Sequence, residues 1–503
     1  MRAIILLLAA AMWLLGSCSS SGGQPDGNDV PDAQDGTDEG GDTVATRVIS
    51  FSDRQVVDDR QAGQQLSLSP TPDGRFAVAY FARGSSKVMC NSHPGGMQIE
   101  IQVDHVRYAT YDGSAWHPED VADYSSELNS GISLLFDGNT PVLAYLGGAD
   151  ASQCCGGSDL ITARRGGGGG WTPTVSVAMS SEAVAGADCP VMQGLCDTGD
   201  LVGLWPSMAK APDGKLGVVW RDLHLCYAQT DQDMSDLEYA EGANFGTKRW
   251  VDLGRGSGDF NSLAFGPDGA PAVATYNGKN GAIYFSRWVN GAWDPPPPPQ
   301  GQNQCAVAAL CTQNLQDSCP DGQVCIANRC SNLISCVDGI LPDGSISLAI
   351  DPQGRFLVAY FDLNKKNLAI AHSTDGRHWT RGVIDGDGAT GMSPKLMFDP
   401  ISGMPEVVYY RCSDYNPNSL NCNRNQDGVK FAIFAGKYPD ELGVQAKWKK
   451  TNVSRDNVAF DGRHLSAGVL PDGTVGVAYS YNWTDPGTNE PKEQVMFQLG
   501  TWQ

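Results

Sequence analysis

Two stretches nearly three hundred positions apart, SLSPTPDGRFAVAYFA (67–82) and SLAIDPQGRFLVAYFD (347–362), spell almost the same phrase. Such a repeat constrains the fold more than composition does, because a unit that recurs along one chain must pack against copies of itself. The unit is an apolar run, a turn ending in glycine, and a second apolar run rich in Val and aromatics. It occurs seven times, turning at Asp73-Gly74, Asp137-Gly138, Asp213-Gly214, Asp268-Gly269, Gln353-Gly354, Ser402-Gly403 and Asp472-Gly473. Glycine supplies the positive φ that such a turn demands, and Pro and Asp favour its entry, so each copy predicts a β-hairpin.

Most hairpins are followed by a second pair of runs hinged on Asp-Gly or Asn-Gly: VRYATYDGSAW (106–116), AIYFSRWVNGAW (282–293) and NLAIAHSTDGRHW (367–379). Each unit is therefore four antiparallel strands, A to D from the axis outward. Seven of them predict an all-β fold, a seven-bladed β-propeller. A solenoid of stacked sheets fits worse, because the unit is too long and lacks one strand per turn. After the seventh copy (464–482) only one more strand is expected, Glu493 to Leu499. The missing fourth strand is expected from TRVISFSD (46–53), which would pair the chain ends and close the ring.

The stretch HSTDGRHW (372–379) resembles the Asp-box, the turn between the outer two strands of sialidase-like propellers. The whole unit resembles the repeats of bacterial sialidase-like seven-bladed propellers. This copy lacks one residue between Asp375 and Gly376, and TYDGSAW (110–116) is a degenerate version. The resemblance extends from residue 46 onward and implies the fold. It implies no single activity, because the scaffold hosts hydrolases, lyases, lectins and interaction modules.

The chain opens with Arg2, an apolar run from Ala3 to Leu15, and then Gly16-Ser17-Cys18. This is an export signal too short to span a bilayer. Leu15-Gly16-Ser17-Cys18 closely resembles the lipobox of bacterial lipoproteins, which implies acylation of Cys18 and stable membrane anchoring. Ser19 in place of Asp favours outer-membrane over inner-membrane sorting. The expected layout is a signal peptide at 1–17, a lipidated acidic tether at 18–45, the propeller at 46–503, and a Cys-rich insertion at 295–344 between blades four and five. A net charge of −22 excludes nucleic-acid binding through bulk charge. The chain is expected to act as a monomer.

Long stretches gather on one face of the ring, that of the B-to-C and D-to-A connections: 84–104, 147–158, 178–204, 294–344 and 412–427. Cysteines follow them, at Cys90, Cys154, Cys155, Cys189, Cys196, Cys226, Cys412 and Cys422. Six more, Cys305, Cys311, Cys319, Cys325, Cys330 and Cys336, crowd the insertion. In an exported chain they read as disulfide staples, and fifteen pairings of the last six are possible. No Cys or His spacing suits zinc, and the seven His are scattered. DGDG (385–388) and DTGD (197–200) have calcium-like Asp spacing without the distal Glu, so a structural Ca²⁺ is the one cofactor considered.

Three copies of strand B end in arginine, at Arg83, Arg221 and Arg411, and could together hold an anionic ligand. Each could equally pair with a nearby acid, Arg221 with Asp222 or Arg411 with Asp414. Asp222, Asp362 and Asp414 are the carboxylates at strand-B ends that a glycosidase would need, although such pairs are defined by separation in space. The leading expectation is a propeller that binds a protein or glycan ligand on its loop-rich face without catalysis. The alternatives are a sialidase-like hydrolase or polysaccharide lyase acting on an anionic sugar, and a structural envelope protein.

Overall fold

The structure is a computed structural model and describes residues 47–90, 99–124, 131–147, 159–172, 175–179, 201–223, 235–251, 257–277, 282–294, 324–326, 329–331, 333–336, 346–363, 365–412, 427–454 and 460–503. Cys18, Cys154, Cys155, Cys189, Cys196, Cys226, Cys305, Cys311, Cys319, Cys422, Asp414 and the DTGD stretch lie outside the described residues. One compact unit runs from Val48 to Gln503.

That unit is a seven-bladed β-propeller of four-stranded antiparallel blades. Its inner strands are Ala62–Pro70, Ile132–Asp137, Leu201–Lys210, Ser257–Phe265, Ile346–Ile350, Ala389–Phe398 and Phe460–Val469. Each touches the inner strand of the next blade, and the seventh touches the first. All seven turn glycines of the repeat have positive φ, from 58° at Gly138 to 90° at Gly214. Local turn chemistry therefore sets the hairpins wherever the repeat predicts them.

Strand B lies between neighbouring blades with both faces covered. Phe76–Ala82, Pro271–Asn277 and Phe356–Asp362 are accordingly buried along their whole length, and the apolar runs are continuous rather than alternating. The aromatic near each strand-B end (Tyr80, Tyr145, Trp220, Tyr276, Tyr360, Tyr409, Tyr479) is buried as a packing residue. In the Asp-box turn, Asp375 Oδ1 accepts the Arg377 and His378 N–H groups at 2.8 Å, and the Trp379 ring tucks against Phe285. That turn is structural.

The ring closes as expected, and over a longer stretch. Pro491–Trp502, strand C of blade seven, pairs antiparallel with Ile49–Phe51 and then with Gln55–Asp58, so the N-terminal segment supplies the outer strand. Asp58 ends this strand inside the junction with blade one. Its carboxylate accepts the Tyr80 hydroxyl at 2.7 Å and pairs with Arg107 at 3.0 Å. The junction of blades five and six is built the same way: Asp385 accepts the Tyr409 hydroxyl at 2.7 Å and pairs with Lys430 at 2.6 Å and Lys450 at 3.0 Å.

Strand C of blade four, Ala282–Val289, pairs with Ala292–Asp294 over one half and with Leu333–Cys336, from the Cys-rich insertion, over the other. Cys325 and Cys330 are paired in register in the two-stranded piece Val324–Ile326 with Arg329–Ser331. Cys90 ends one strand of a hairpin, Lys87–Cys90 with Ile99–Gln102, in the first B-to-C connection. Cys412 ends strand B of blade six, where it is buried and disulfide-bonded.

Candidate functional site

The chain enters each inner strand from the loop-rich face, and there the strand departs from regular pairing. Register shifts interrupt the A–B ladder in blades one, three, four, six and seven. A glycine with positive φ sits at each: Gly63, Gly203, Gly258, Gly391 and Gly462. At four of them, Gly203, Gly258, Gly391 and Gly462, the requirement is doubled by close approach, to backbone at the first and third. A methyl on Gly203 would stand 2.7 Å from the Leu160 Cα of the preceding blade, and one on Gly391 would stand 2.6 Å from the Leu368 Cα. These glycines let neighbouring blades meet at the axis.

Two positions after the glycine, Gln65, Trp205, Phe260 and Ser393 also have positive φ, between 49° and 53°. For a bulky Trp or Phe this backbone is strained, and such strain is characteristic of sites where a side chain has to be aimed. These residues, together with Asn261, Lys395 and His464, line a cavity of about 80 Å³ to which all seven blades contribute. By its lining the cavity lies on the axis, at the end where the inner strands begin. The Trp205 and Phe260 rings lie 4.7 Å apart, and Phe260 stacks on Tyr276. Asn261 donates to the Trp205 carbonyl at 3.1 Å and accepts from the Thr275 hydroxyl at 2.7 Å, which fixes its amide.

Lys395 and His464 are half-buried and border this cavity. Burial lowers the Lys395 ammonium from the usual lysine range, with no charged neighbour contributing. Burial and then the Arg463 charge hold the His464 imidazole down to about 3, so it is neutral at physiological pH.

None of the three strand-B arginines lines the cavity. Arg221 is paired with Asp259 of the next blade. The expected partner Asp222 cannot serve, because adjacent residues of a strand project to opposite faces; Asp222 is itself buried. Arg411 lies 3.4 Å from Asp387. Arg83 is exposed, and its charge reaches Asp104 and Glu493. The arginines are thus spent separately around the ring, two of them in ion pairs. Asp362 is buried, accepts the Lys365 N–H at 3.2 Å, and does not face the cavity. In the DGDG stretch, Asp385 and Asp387 are engaged by Lys430, Lys450 and Arg411 rather than set around an open cation position. Among the described residues no group of His, Cys, Asp and Glu could hold a metal ion.

No protein-family model matches the chain. No curated protein resembles it in sequence. Among solved structures it is similar to a mutant of AofleA from Arthrobotrys oligospora (12% identity, 83% of this chain and 92% of that one, TM-score 0.38). It is also similar to a mutant Aleuria aurantia lectin in complex with alpha-methyl-L-fucoside (10%, 79% and 96%, TM-score 0.39). A third is the subtype N11 neuraminidase-like protein of A/flat-faced bat/Peru (H18N11) (11%, 90% and 93%, TM-score 0.37). Likenesses of this size say nothing of the ligand.

Proposed function

We propose that this chain is an exported envelope lipoprotein, anchored through Cys18, whose propeller binds a glycan on the loop-rich face without cleaving it. The axial cavity carries this reading. Its described lining offers two aromatic rings, the fixed Asn261 amide and a cation, but no Asp or Glu. Aromatic faces with a few placed polar groups suit sugar recognition, whereas hydrolysis of a glycosidic bond calls for two carboxylates flanking it. The dispersal of Arg83, Arg221 and Arg411 supports binding over the hydrolase alternative, because the triple grip on an anionic sugar is not assembled.

A glycan array probed with the purified protein tests the ligand. Retention on defined glycans, with no released sugar detected by chromatography, is the expected result. Release of a sugar product would establish catalysis instead, and silence on every glycan would remove the sugar reading. The anchor is tested separately by fractionating cells: Cys18→Ala should leave the membrane fraction and lose labelled palmitate.

A further inference from the structure

One repeated hydrogen bond stitches the inner strands around the axis. The Ser67 hydroxyl accepts the Leu134 N–H at 2.9 Å, Ser133 accepts Met208 at 2.9 Å, and Ser207 accepts Leu263 at 3.0 Å. Ser262 accepts Leu348 at 2.9 Å, Ser347 accepts Leu396 at 3.0 Å, and Ser466 accepts Leu68 at 2.9 Å. Each serine holds the inner strand of the following blade, and the last returns to blade one. The seventh link, from blade six to Ala467 of blade seven, is missing among the described hydrogen bonds. Lys395 stands at the serine's place in blade six, and an ammonium has donors only.

This replacement puts a cation into the axial cavity of a chain with 57 acidic and 35 basic residues. Carboxylates are abundant, yet among the described residues none lines the cavity. Burial is the only influence acting on the amine, so no counter-charge stands near it among the described residues. A half-buried ammonium without a partner bears part of the desolvation cost, whereas a serine would be free of it and would add a link. An anion in the cavity would offset that cost. Lys395 is the one charged residue of the described lining, and His464 is neutral, so a monoanion is matched there and a dianion is not. About 80 Å³ is room enough for a small carboxylate group.

We propose that Lys395 makes the axial cavity a binding site for a small carboxylate, with the ammonium as counter-charge, the His464 imidazole as a hydrogen-bonding neighbour, and Trp205 and Phe260 as the apolar wall. The carboxylate and the glycan draw on the same cavity, but their tests separate them: a chain silent on every glycan would still take up the acid.

Calorimetric titration of the purified protein with sodium acetate at neutral pH tests it, with acetamide as the neutral isostere and sulfate as the dianion. The expected result is one saturable acetate site per chain, with acetamide and sulfate at least tenfold weaker. Lys395→Ser should lose at least tenfold in acetate affinity. By completing the seventh serine link it should also unfold at a higher urea midpoint than the wild type. Lys395→Met, which keeps length without charge, should lose acetate binding and unfold at or above the wild-type midpoint. Acetate binding no tighter than acetamide would overturn the proposal, as would affinity retained in Lys395→Ser. So would a lower midpoint in both variants, because it would mean that the ammonium already has its partners.

Discussion

Replacing Asp385 by asparagine should lower stability by about 3–5 kcal/mol, the usual cost of stranding a buried cation by removing its partner. The side chain of Asp385 is fully buried and holds two lysines, Lys430 at 2.6 Å and Lys450 at 3.0 Å, while accepting the Tyr409 hydroxyl. Burial by itself would raise this carboxyl, but the hydrogen bonds from Lys430 and Tyr409 outweigh it, so its native value is depressed. The sign of the pH dependence follows from that direction. The stabilisation is complete above the unfolded carboxylate value, about 3.9, and is lost as pH falls from there through the depressed native value. Urea midpoints at neutral pH, and again between about pH 5 and 2, read both effects. Asp440→Asn is the control: Asp440 pairs with Lys437 at 2.7 Å, but both side chains are well exposed, so its midpoint should not move. Equal midpoints for wild type and Asp385→Asn would show that the junction of blades five and six does not depend on this charge.

A second large effect is expected at the closure. A chain that begins at Arg60 lacks Ile49–Phe51 and Gln55–Asp58, and so leaves Pro491–Trp502 as an open edge twelve residues long. It also removes Asp58 from between Tyr80 and Arg107, leaving a buried guanidinium without that carboxylate. Exposed sheet edges recruit other chains. The shortened protein should therefore aggregate or lose cooperative unfolding, whereas a chain beginning at Arg47 should stay monomeric by light scattering. A synthetic peptide of residues 47–60 added in trans should restore solubility. A shortened chain that remains monomeric with an unchanged urea midpoint would mean that the first strand only decorates a ring already closed.

The hairpins were legible because their cause is local. A tight turn needs positive φ within four residues, and the glycine that permits it stands in the same short phrase. The closing strand was legible by count, since seven inner hairpins left one blade a strand short. The axial site was not read, although traces of it are in the sequence. The serine that opens both SLSPTPDG and SLAIDPQG precedes the turn glycine by seven positions, and Ser207, Ser262 and Ser466 keep that spacing. Ser133 stands five positions before Gly138 and Lys395 eight before Gly403, so the replaced serine hides where the alignment slips. A glycine two residues ahead of Gln65, Trp205, Phe260, Ser393 and His464 is the second trace.

What the sequence determined by itself were the features whose physics acts within a hairpin: the all-β class, the number of blades, the turn face, and the burial of the aromatic near the end of each strand B. The tertiary structure alone decided which charges meet. Arg221 turns from Asp222, its neighbour in the chain, to Asp259 in the next blade, because a strand sends adjacent side chains to opposite faces and the ring brings a different strand to the open one. Likewise the cavity that holds Lys395 belongs to no segment. It exists because seven inner strands converge on one axis, and each residue lining it is ordinary until the other six blades are in place.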